Sequence, residues 1–174
     1  MNSTTSQLNQ PNPNNSKASE PSFFIKLFAS ALFTGYVPIM SGTVGSAVGL
    51  IFYFIPRFET PFFFGAIILI VLLVGMKAST IMEKRYGHDP SEVTIDEVVG
   101  MWISLIFLPK TIAIACIAFF IFRFLDIVKP FPAHKFDRMT GGFGIMMDDV
   151  IAGIYTNIIL QLVLLIPFFK GFLL

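Results

Sequence analysis

Long apolar segments alternate with short polar segments along most of the chain, and this pattern predicts a bundle of apolar helices. Residues 61–82 and 150–169 are each long enough, as helices, to cross the roughly 30 Å hydrocarbon layer of a bilayer, which takes about 20 residues. The shorter apolar segments cover residues 22–34, 43–55, 98–108 and 111–122. The predicted fold class is therefore all-α, a polytopic membrane helical bundle.

Composition supports a lipid environment for this bundle. Hydrophobic residues make up 55% of the chain and charged residues 13%, whereas a soluble domain carries about 25% charged residues. A soluble bundle of buried helices remains the alternative. Residues 1–21 are rich in Asn, Ser, Thr and Pro, and they predict a disordered N-terminal tail because they contain no apolar segment to bury. Residues 22–174 are predicted to form one membrane-embedded domain.

The basic residues predict how the bundle is oriented. Nine of the 12 Lys and Arg residues lie in the N-terminal region and in the two polar stretches around residues 77–85 and 123–138, and the positive-inside tendency places all three on the cytoplasmic side. Residues 98–122 must then enter the membrane and return, turning at Pro109 and Lys110. The two apolar segments, residues 98–108 and 111–122, are each short for a membrane span. They form either a re-entrant hairpin or two helices that extend into the flanking polar residues.

Three acidic clusters stand where a polar stretch meets an apolar helix. They are Asp96 with Glu97, Asp126, and Asp148 with Asp149. Carboxylates held close together in a low dielectric repel each other and need a cation or a shared proton. Mg²⁺ takes oxygen ligands of this kind, so all five are candidate metal ligands and catalytic residues. For the last pair alone, the alternative is that it caps the final helix, since acids are favoured in a first helical turn.

Basic side chains near these acids could bind a phosphate. Arg123 lies three residues before Asp126 on the same helix face, and Lys129 comes just before Pro130, where the helix is expected to end. Arg binds phosphate through two parallel hydrogen bonds and Lys adds a point charge. For Arg123, a salt bridge to Asp126 is a second possible role. The two roles are compatible, because Asp126 can orient the arginine that binds the phosphate.

Two further segments contain several glycines and could contact a ligand or a neighbouring helix. In residues 35–46, Gly42, Thr43 and Ser46 resemble a phosphate-cradling turn before a helix, although a glycine-lined helix turn without a ligand explains them equally well. Glycines 141, 142 and 144 would let the backbone approach a ligand or a neighbouring helix. The two histidines, His88 and His134, are predicted to lie in surface turns.

Taken together, these blocks resemble the phosphatidylglycerophosphatase A family. The resemblance rests on residues 94–103 (TIDEVVGMWI), 122–132 (FRFLDIVKPFP), 135–138 (KFDR) and 141–153 (GGFGIMMDDVIAG). Residues 38–46 (PIMSGTVGS) are similar to that family's Pro-Gly-Thr-x-Gly-Ser loop, with Ser41 where the family usually has proline. The blocks keep their order from about Phe23 to the C-terminus.

The resemblance implies a specific enzyme. Such a protein would hydrolyse the terminal phosphomonoester of phosphatidylglycerol phosphate with Mg²⁺, in phospholipid biosynthesis. It would sit among membrane lipids in the bacterial cytoplasmic membrane, with the site facing the cytoplasm and no nucleic acid as partner. The expected metal and catalytic residues are Asp96, Glu97, Asp126, Asp148 and Asp149. The expected phosphate-binding residues are Arg123 and Lys129, together with Gly42, Thr43 and Ser46.

Other functions and mechanisms are also consistent with the sequence. A transporter or ion-pathway protein would also carry carboxylates inside the membrane. A CDP-alcohol phosphotransferase is a weaker alternative, because its characteristic spacing of acids is not present. For a phosphatase, both direct attack by water and an aspartyl phosphate on Asp96 or Asp148 are possible. The sequence indicates neither the number of Mg²⁺ ions nor the oligomeric state.

Overall fold

The computed structural model describes residues 19–58 and 60–167, and within these ranges the chain is helical, without strands. The described residues form seven α-helices and one short 3-10 helix, Thr34–Tyr36. The α-helices are α1 Phe23–Ala29, α2 Ser41–Tyr53, α3 Pro61–Tyr86, α4 Ile95–Leu105, α5 Ile112–Val128, α6 Ala133–Asp137 and α7 Gly142–Leu164. The all-α prediction is confirmed. Residues 1–18, which contain most of the predicted tail, lie outside the described ranges.

The two arms of the hairpin extend into the polar residues on either side. Helix α4 begins at Ile95 and α5 continues to Val128, so Asp96, Glu97, Arg123 and Asp126 are all helical. Helix α5 ends where Pro130 requires it to end, with Lys129 in the left-handed conformation at φ 47°. The turn at Pro109 and Lys110 lies at the opposite end of the bundle, where Lys110 Nζ donates to the Ile55 carbonyl oxygen at 2.8 Å.

Helix α7 begins well before the apolar run that starts at residue 150. Its first turn packs against α3: a Cβ at Gly142 would overlap the Met76 carbonyl oxygen. Side chains of α3 also satisfy the free amides of this first turn, since Thr80 Oγ1 accepts from Gly142 N at 2.8 Å and Glu83 Oε2 accepts from Gly141 N at 2.6 Å. The alternative in which Asp148 and Asp149 cap the final helix is therefore excluded, because they lie within it.

The centre of the bundle is the crossing of α4 and α7, against which α2, α3 and α5 also pack. Two glycines allow this crossing: a Cβ at Gly153 would come within 2.5 Å of the Gly100 carbonyl oxygen, and one at Gly100 within 2.9 Å of the Asp149 carbonyl oxygen. Small residues permit such close approach between helices. The crossing brings the start of α4 beside the first half of α7, and thus Asp96 and Glu97 beside Asp148 and Asp149.

The outward faces of the bundle are apolar. Large apolar side chains are exposed on α3, α5 and α7, with Phe62 88% exposed, Phe120 71% and Leu162 58%. Soluble monomers rarely expose contiguous apolar surface on this scale. Helices α3 and α7 are long and apolar enough to cross a membrane, judged by length and composition. Buried carboxylates inside and apolar side chains outside are the arrangement expected of a bundle surrounded by lipid.

Candidate active site

Four segments meet at one end of the bundle, which we call the site end. They are the first turn of α2, the loop before α4 with the first turn of α4, the last two turns of α5, and the second turn of α7. Together they enclose a cavity of about 300 Å³. Six of the residues that line it are acidic: Asp89, Asp96, Glu97, Asp126, Asp148 and Asp149. The structure thus brings together all five carboxylates that the sequence singled out.

Three of these carboxylates form a compact group, which we call the carboxylate triad. Oxygens of Glu97, Asp126 and Asp149 lie within 4.8 Å of one another, although the residues come from α4, α5 and α7. Hard oxygen donors at this spacing suit Mg²⁺, which is bound by a few carboxylates together with waters and substrate oxygens. The donor set therefore fits a magnesium ion held by Glu97, Asp126 and Asp149.

Arg123 organises two members of the triad. Its Nη1 donates to Glu97 Oε2 and lies 3.0 Å from Asp126 Oδ2, so one guanidinium connects α4 with α5. Its Nε is buried and has no hydrogen-bond partner among the described residues. The salt bridge between Arg123 and Asp126 that the sequence suggested is present. Direct contact of Arg123 with a phosphate stays a prediction.

Ser46 also holds Glu97. Its buried hydroxyl donates to Glu97 Oε2 at 2.9 Å and lies at the same distance from the Gly42 carbonyl oxygen of its own helix. Gly42 lines the cavity, and a Cβ there would overlap Glu97 Oε1. Both residues thus act on Glu97 in this structure, while Thr43 does not line the cavity. Contact of Gly42, Thr43 and Ser46 with a substrate phosphate stays a prediction.

Lys129 is the basic residue among those that line the cavity. Its Nζ donates to Asp148 Oδ2 at 2.6 Å and also to Asp137 Oδ1 of α6, so it joins three helices at the site end. Burial by itself would lower the pKa of the Lys129 ammonium, but its hydrogen bonds to Asp137 and Asp148 outweigh burial and raise it. Lys129 is therefore charged in this structure and engaged by two carboxylates.

One carboxyl oxygen of Asp96 and one of Asp148 differ in their hydrogen bonding. Asp96 Oδ1 accepts a hydrogen bond from the backbone N–H of Glu97 at 2.9 Å, which fixes the orientation of the Asp96 carboxylate in the first turn of α4. Asp148 Oδ1 is buried and has no partner among the described residues. A buried carboxylate oxygen without a partner is costly, and a cation or an ordered water would relieve that cost.

Asp89 is a cavity residue that sequence reasoning missed. It lies in the loop between α3 and α4 with φ 44°, a left-handed conformation that Asp adopts more readily than most residues. Burial raises the pKa of the Asp89 carboxyl, while the nearby Lys129 ammonium opposes that rise. In the sequence, Asp89 is an acid directly before Pro90, in the segment predicted as a turn around His88. Ser41 and Ser91 also line the cavity.

The two histidines do not line this cavity. His88 Nδ1 lies 3.0 Å from Glu83 Oε1, and His88 Nε2 lies 3.0 Å from the Asp137 carbonyl oxygen, so the ring links the end of α3 to α6. His134 lies in α6, with its ring centroid 5.9 Å from that of Phe131. His88 follows the end of α3 in a turn, as predicted, whereas the prediction of a turn at His134 is wrong.

Comparison with known proteins identifies a family. The family described as phosphatidylglycerophosphatase A matches residues 27–164 of this chain. Phosphatidylglycerophosphatase A of Escherichia coli K12 is 34% identical over 140 residues, which cover 79% of this chain and 81% of that protein. The Haemophilus influenzae protein of the same name is 46% identical over 74 residues, covering 41% and 45% of the two chains.

One relative carries a different name. A Bacteroides thetaiotaomicron protein, provisionally named phosphatidylinositol-3-phosphatase, is 35% identical over 148 residues, which cover 80% of this chain and 93% of that protein. No solved structure matches the chain at a significant level. The relatives that match over most of the chain are thus named for the removal of a phosphate from a lipid headgroup.

Proposed function

The chain belongs to the phosphatidylglycerophosphatase A family, and on that premise we propose that it hydrolyses the terminal phosphomonoester of phosphatidylglycerol phosphate with Mg²⁺. The observation that carries the proposal is the cavity at the site end. Six carboxylates line it at the end of apolar helices, and Arg123 and Lys129 form ion pairs with some of them. A phosphate on a lipid headgroup reaches this end of the bundle while its acyl chains stay beside the apolar helix faces.

The charge of the cavity supports a role for a metal ion with such a substrate. Arg123 pairs with Glu97 and Asp126, and Lys129 pairs with Asp148 and with Asp137 outside the cavity. The six cavity carboxylates therefore exceed these two cations by four charges when all six are ionised. A phosphomonoester dianion would be repelled by this charge. The carboxylate triad would hold the ion, and a bound ion would offset charge on the phosphate oxygens and would make a water more acidic for attack.

The chain's own residues perform the remaining tasks. Arg123 and Ser46 fix the orientation of Glu97, and Lys129 fixes that of Asp148. A carboxylate of the cavity accepts a proton from the attacking water as the remaining hydroxyl bonds to phosphorus, and this proton then passes to the headgroup oxygen as its bond to phosphorus breaks. Hydroxylamine added during turnover tests this route: direct attack leaves no acyl phosphate to trap, whereas an aspartyl phosphate on Asp96 or Asp148 would be converted to the hydroxamate of that residue.

A pathway for ions across the membrane is less consistent with the structure. Every acidic residue that the structure describes lies at the site end or in the segments beside it, and none lies deeper along α3 or α7. Beneath the cavity, the interior holds apolar side chains such as Val99, Ile114 and Phe122, together with the uncharged Ser104, Thr156 and Asn157, whose side chains donate to backbone carbonyl oxygens. A pathway for ions is typically lined by ionisable groups at membrane depth, so the confinement of the described carboxylates to the site end favours a hydrolytic site.

The first test is phosphate release by the purified full chain in mixed micelles. We expect release from phosphatidylglycerol phosphate with Mg²⁺, its loss with excess chelator, and its recovery when Mg²⁺ is restored. Asp149→Asn should abolish release, whereas Glu92→Gln, the same type of change on an acid outside the cavity, should leave it intact. Chelator-resistant release would contradict the metal site, and no release from any lipid phosphate would contradict the function.

Substrate choice is tested in the same assay. We expect phosphatidylglycerol phosphate to exceed phosphatidylinositol 3-phosphate and phosphatidic acid in kcat/KM, because the family and two of the relatives are named for it. The reverse order would assign this chain to the activity for which the Bacteroides relative is named. A role in phospholipid biosynthesis predicts that expression restores phosphatidylglycerol in cells that lack their own phosphatidylglycerophosphatases.

Location is part of the proposal. We place the bundle in the bacterial cytoplasmic membrane with the site end facing the cytoplasm, because the basic residues at this end follow the positive-inside tendency. In a Cys116→Ala background, Glu92→Cys would mark the site end. Impermeant maleimide should fail to label this variant in intact spheroplasts and should label it in inverted vesicles. The opposite labelling pattern would reverse the orientation.

A further inference from the structure

Both polar and apolar side chains stand where the cavity reaches the surface of the bundle. In the loop before α4, Ser91 lines the cavity and is exposed. At the end of α5, Ile127 lines the cavity and is 73% exposed, whereas the apolar lining residues Pro90 and Val93 are buried. The cavity is therefore open beside a polar side chain at one segment and beside a large apolar side chain at another.

Ile127 is the end of an apolar stripe along α5. Ile117, Phe120 and Phe124 are exposed as well, and their spacing of three and four residues places all four side chains on one face of the helix. At the helical rise per residue, this α5 stripe is about 15 Å long. It therefore runs from the cavity to about the middle of a hydrocarbon layer that is roughly 30 Å thick.

The start of α2 borders the same opening. A Cβ at Gly42 would lie 3.0 Å from Arg123 Nη2, so the first turn of α2 packs beside the last two turns of α5. Ser41 lines the cavity, and the two residues before it, Ile39 and Met40, are exposed apolar residues. Exposed apolar residues therefore flank the cavity on both chain segments where α2 and α5 meet.

The cavity and the α5 stripe together fit an amphipathic ligand. The outer faces of α3 and α7 are apolar too, but their exposed apolar side chains do not line the cavity. Ile127, in contrast, belongs both to the stripe and to the cavity lining. A lipid phosphate has a polar group for the cavity and an acyl chain for the stripe, whereas a water-soluble phosphomonoester has no group that would contact the stripe.

We propose that the opening between the start of α2 and the end of α5 is the lateral entrance for the lipid substrate. One acyl chain lies along the α5 stripe while the terminal phosphate occupies the cavity, and Ile127 contacts the lipid where it leaves the cavity. The inference rests on the proposed lipid phosphatase function, which it deepens by assigning the position of the acyl chain. Inorganic phosphate, which has no acyl chain, leaves to water past Ser91.

Cross-linking to the wild-type full chain tests the path of the acyl chain. The probe is a phosphonate analogue of phosphatidylglycerol phosphate, in which a P–C bond replaces the scissile P–O bond and one acyl chain carries a diazirine at its middle. After irradiation in mixed micelles, we expect the label on residues 117–128, and an excess of the analogue without diazirine should remove it. Phosphatidylcholine with the same diazirine chain is the control, and it should label α3, α5 and α7 alike.

Kinetics test the role of Ile127. We expect Ile127→Asn to raise the KM for phosphatidylglycerol phosphate at least about fivefold and to leave kcat within about twofold, because the lipid contact is the same in the ground state and the transition state. Ile112→Asn is the matched control: Ile112 lies in the same helix and is also 73% exposed, but it stands at the opposite end of α5. Both constants should stay at the wild-type values in this control.

The outcomes separate the entrance from the function. Displaceable label on another helix, a labelling pattern equal to that of phosphatidylcholine, or equal KM values for Ile127→Asn and Ile112→Asn would overturn the entrance. If the protein still releases phosphate from phosphatidylglycerol phosphate with Mg²⁺, the proposed function survives such a result. Displaceable label on α5 in a protein that releases no phosphate from any lipid would support the lipid path and refute the function.

Discussion

The Ser46 hydroxyl donates a hydrogen bond to Glu97 Oε2 at 2.9 Å, although 51 residues separate the two in the chain. The donor lies in α2 and the acceptor in the first turn of α4, and Gly42 allows the two helices to meet at the carboxylate. Glu97 is also bound by Arg123. Its orientation is therefore set by two side chains from two other helices before any metal or substrate arrives.

Removal of this hydrogen bond should weaken the metal site. In Ser46→Ala, Glu97 loses a partner that orients it, and we expect the affinity for Mg²⁺ to fall about 10- to 100-fold, as for other groups that hold metal ligands in place. Phosphate release measured against Mg²⁺ concentration gives this shift. Ser104→Ala is the control, because the hydroxyl of the equally buried Ser104 donates to the Gly100 carbonyl oxygen of its own helix. An equal loss in both variants would indicate general destabilisation instead.

Replacement of Arg123 by lysine should impair catalysis even though the charge is kept. One guanidinium nitrogen, Nη1, meets both Glu97 and Asp126, and the ammonium of a lysine ends one bond short of that position. A hydrogen bond between charged groups contributes about 1.5–3 kcal/mol. We therefore expect kcat/KM for Arg123→Lys to fall at least about tenfold.

The control for this change is Arg85→Lys. Arg85 pairs with the exposed Glu20 at 2.5 Å, away from the cavity, and its replacement should leave kcat/KM within about twofold, as expected for a surface ion pair. Wild-type activity in Arg123→Lys would show that the guanidinium is not needed to organise the triad.

Gly142→Ala should destabilise the contact between α7 and α3. The added Cβ would overlap the Met76 carbonyl oxygen and approach Thr80 N to 2.9 Å, so one helix must move. Overpacking of this kind costs about 1–3 kcal/mol, and we expect a lower Tm in detergent. Gly65→Ala, whose Cβ would meet its nearest neighbour at 3.5 Å, should leave the Tm nearly unchanged. Equal Tm values for the two variants would contradict this packing.

The His88 contacts should give stability a dependence on pH. The hydrogen bond with Glu83 is the largest influence on the pKa of the His88 imidazole and raises it above 6.5. A raised pKa in the folded state means that the contribution is fully present below pH 6.5 and is lost as the pH rises through the folded-state value. Melting curves at several pH values should show a smaller fall in Tm over this range for His88→Gln than for wild type.

The apolar segments predicted most of the helices because their length and composition decide the outcome. Helices α3 and α5 contain the predicted apolar runs and continue for one or two turns beyond them. The start of helix α7 is not predicted by the sequence, since residues 142–149 include two glycines and two acids that are typical of a loop. Its first turn is helical because Thr80 and Glu83 of a distant helix accept its free amides.

The acidic residues of the site were predictable, but their individual partners were not. Asp96, Glu97, Asp126, Asp148 and Asp149 stand out because charged groups beside apolar helices are costly. The role of Ser46 depends on which carboxylate lies opposite it, and this is settled only when α2 packs on α4. Asp89 has no such signal, because a single acid before a proline in a polar loop resembles many surface turns.

The apolar outer faces of α3, α5 and α7 have a consequence for kinetics. If the bundle is dissolved in the bilayer, the enzyme meets a lipid substrate by diffusion in two dimensions, and the water phase never separates them. The quantity that sets the rate is then the mole fraction of substrate among the surrounding lipids. Dilution of the membrane with inert phospholipid would slow turnover at constant total substrate, whereas dilution of the whole suspension with buffer would not.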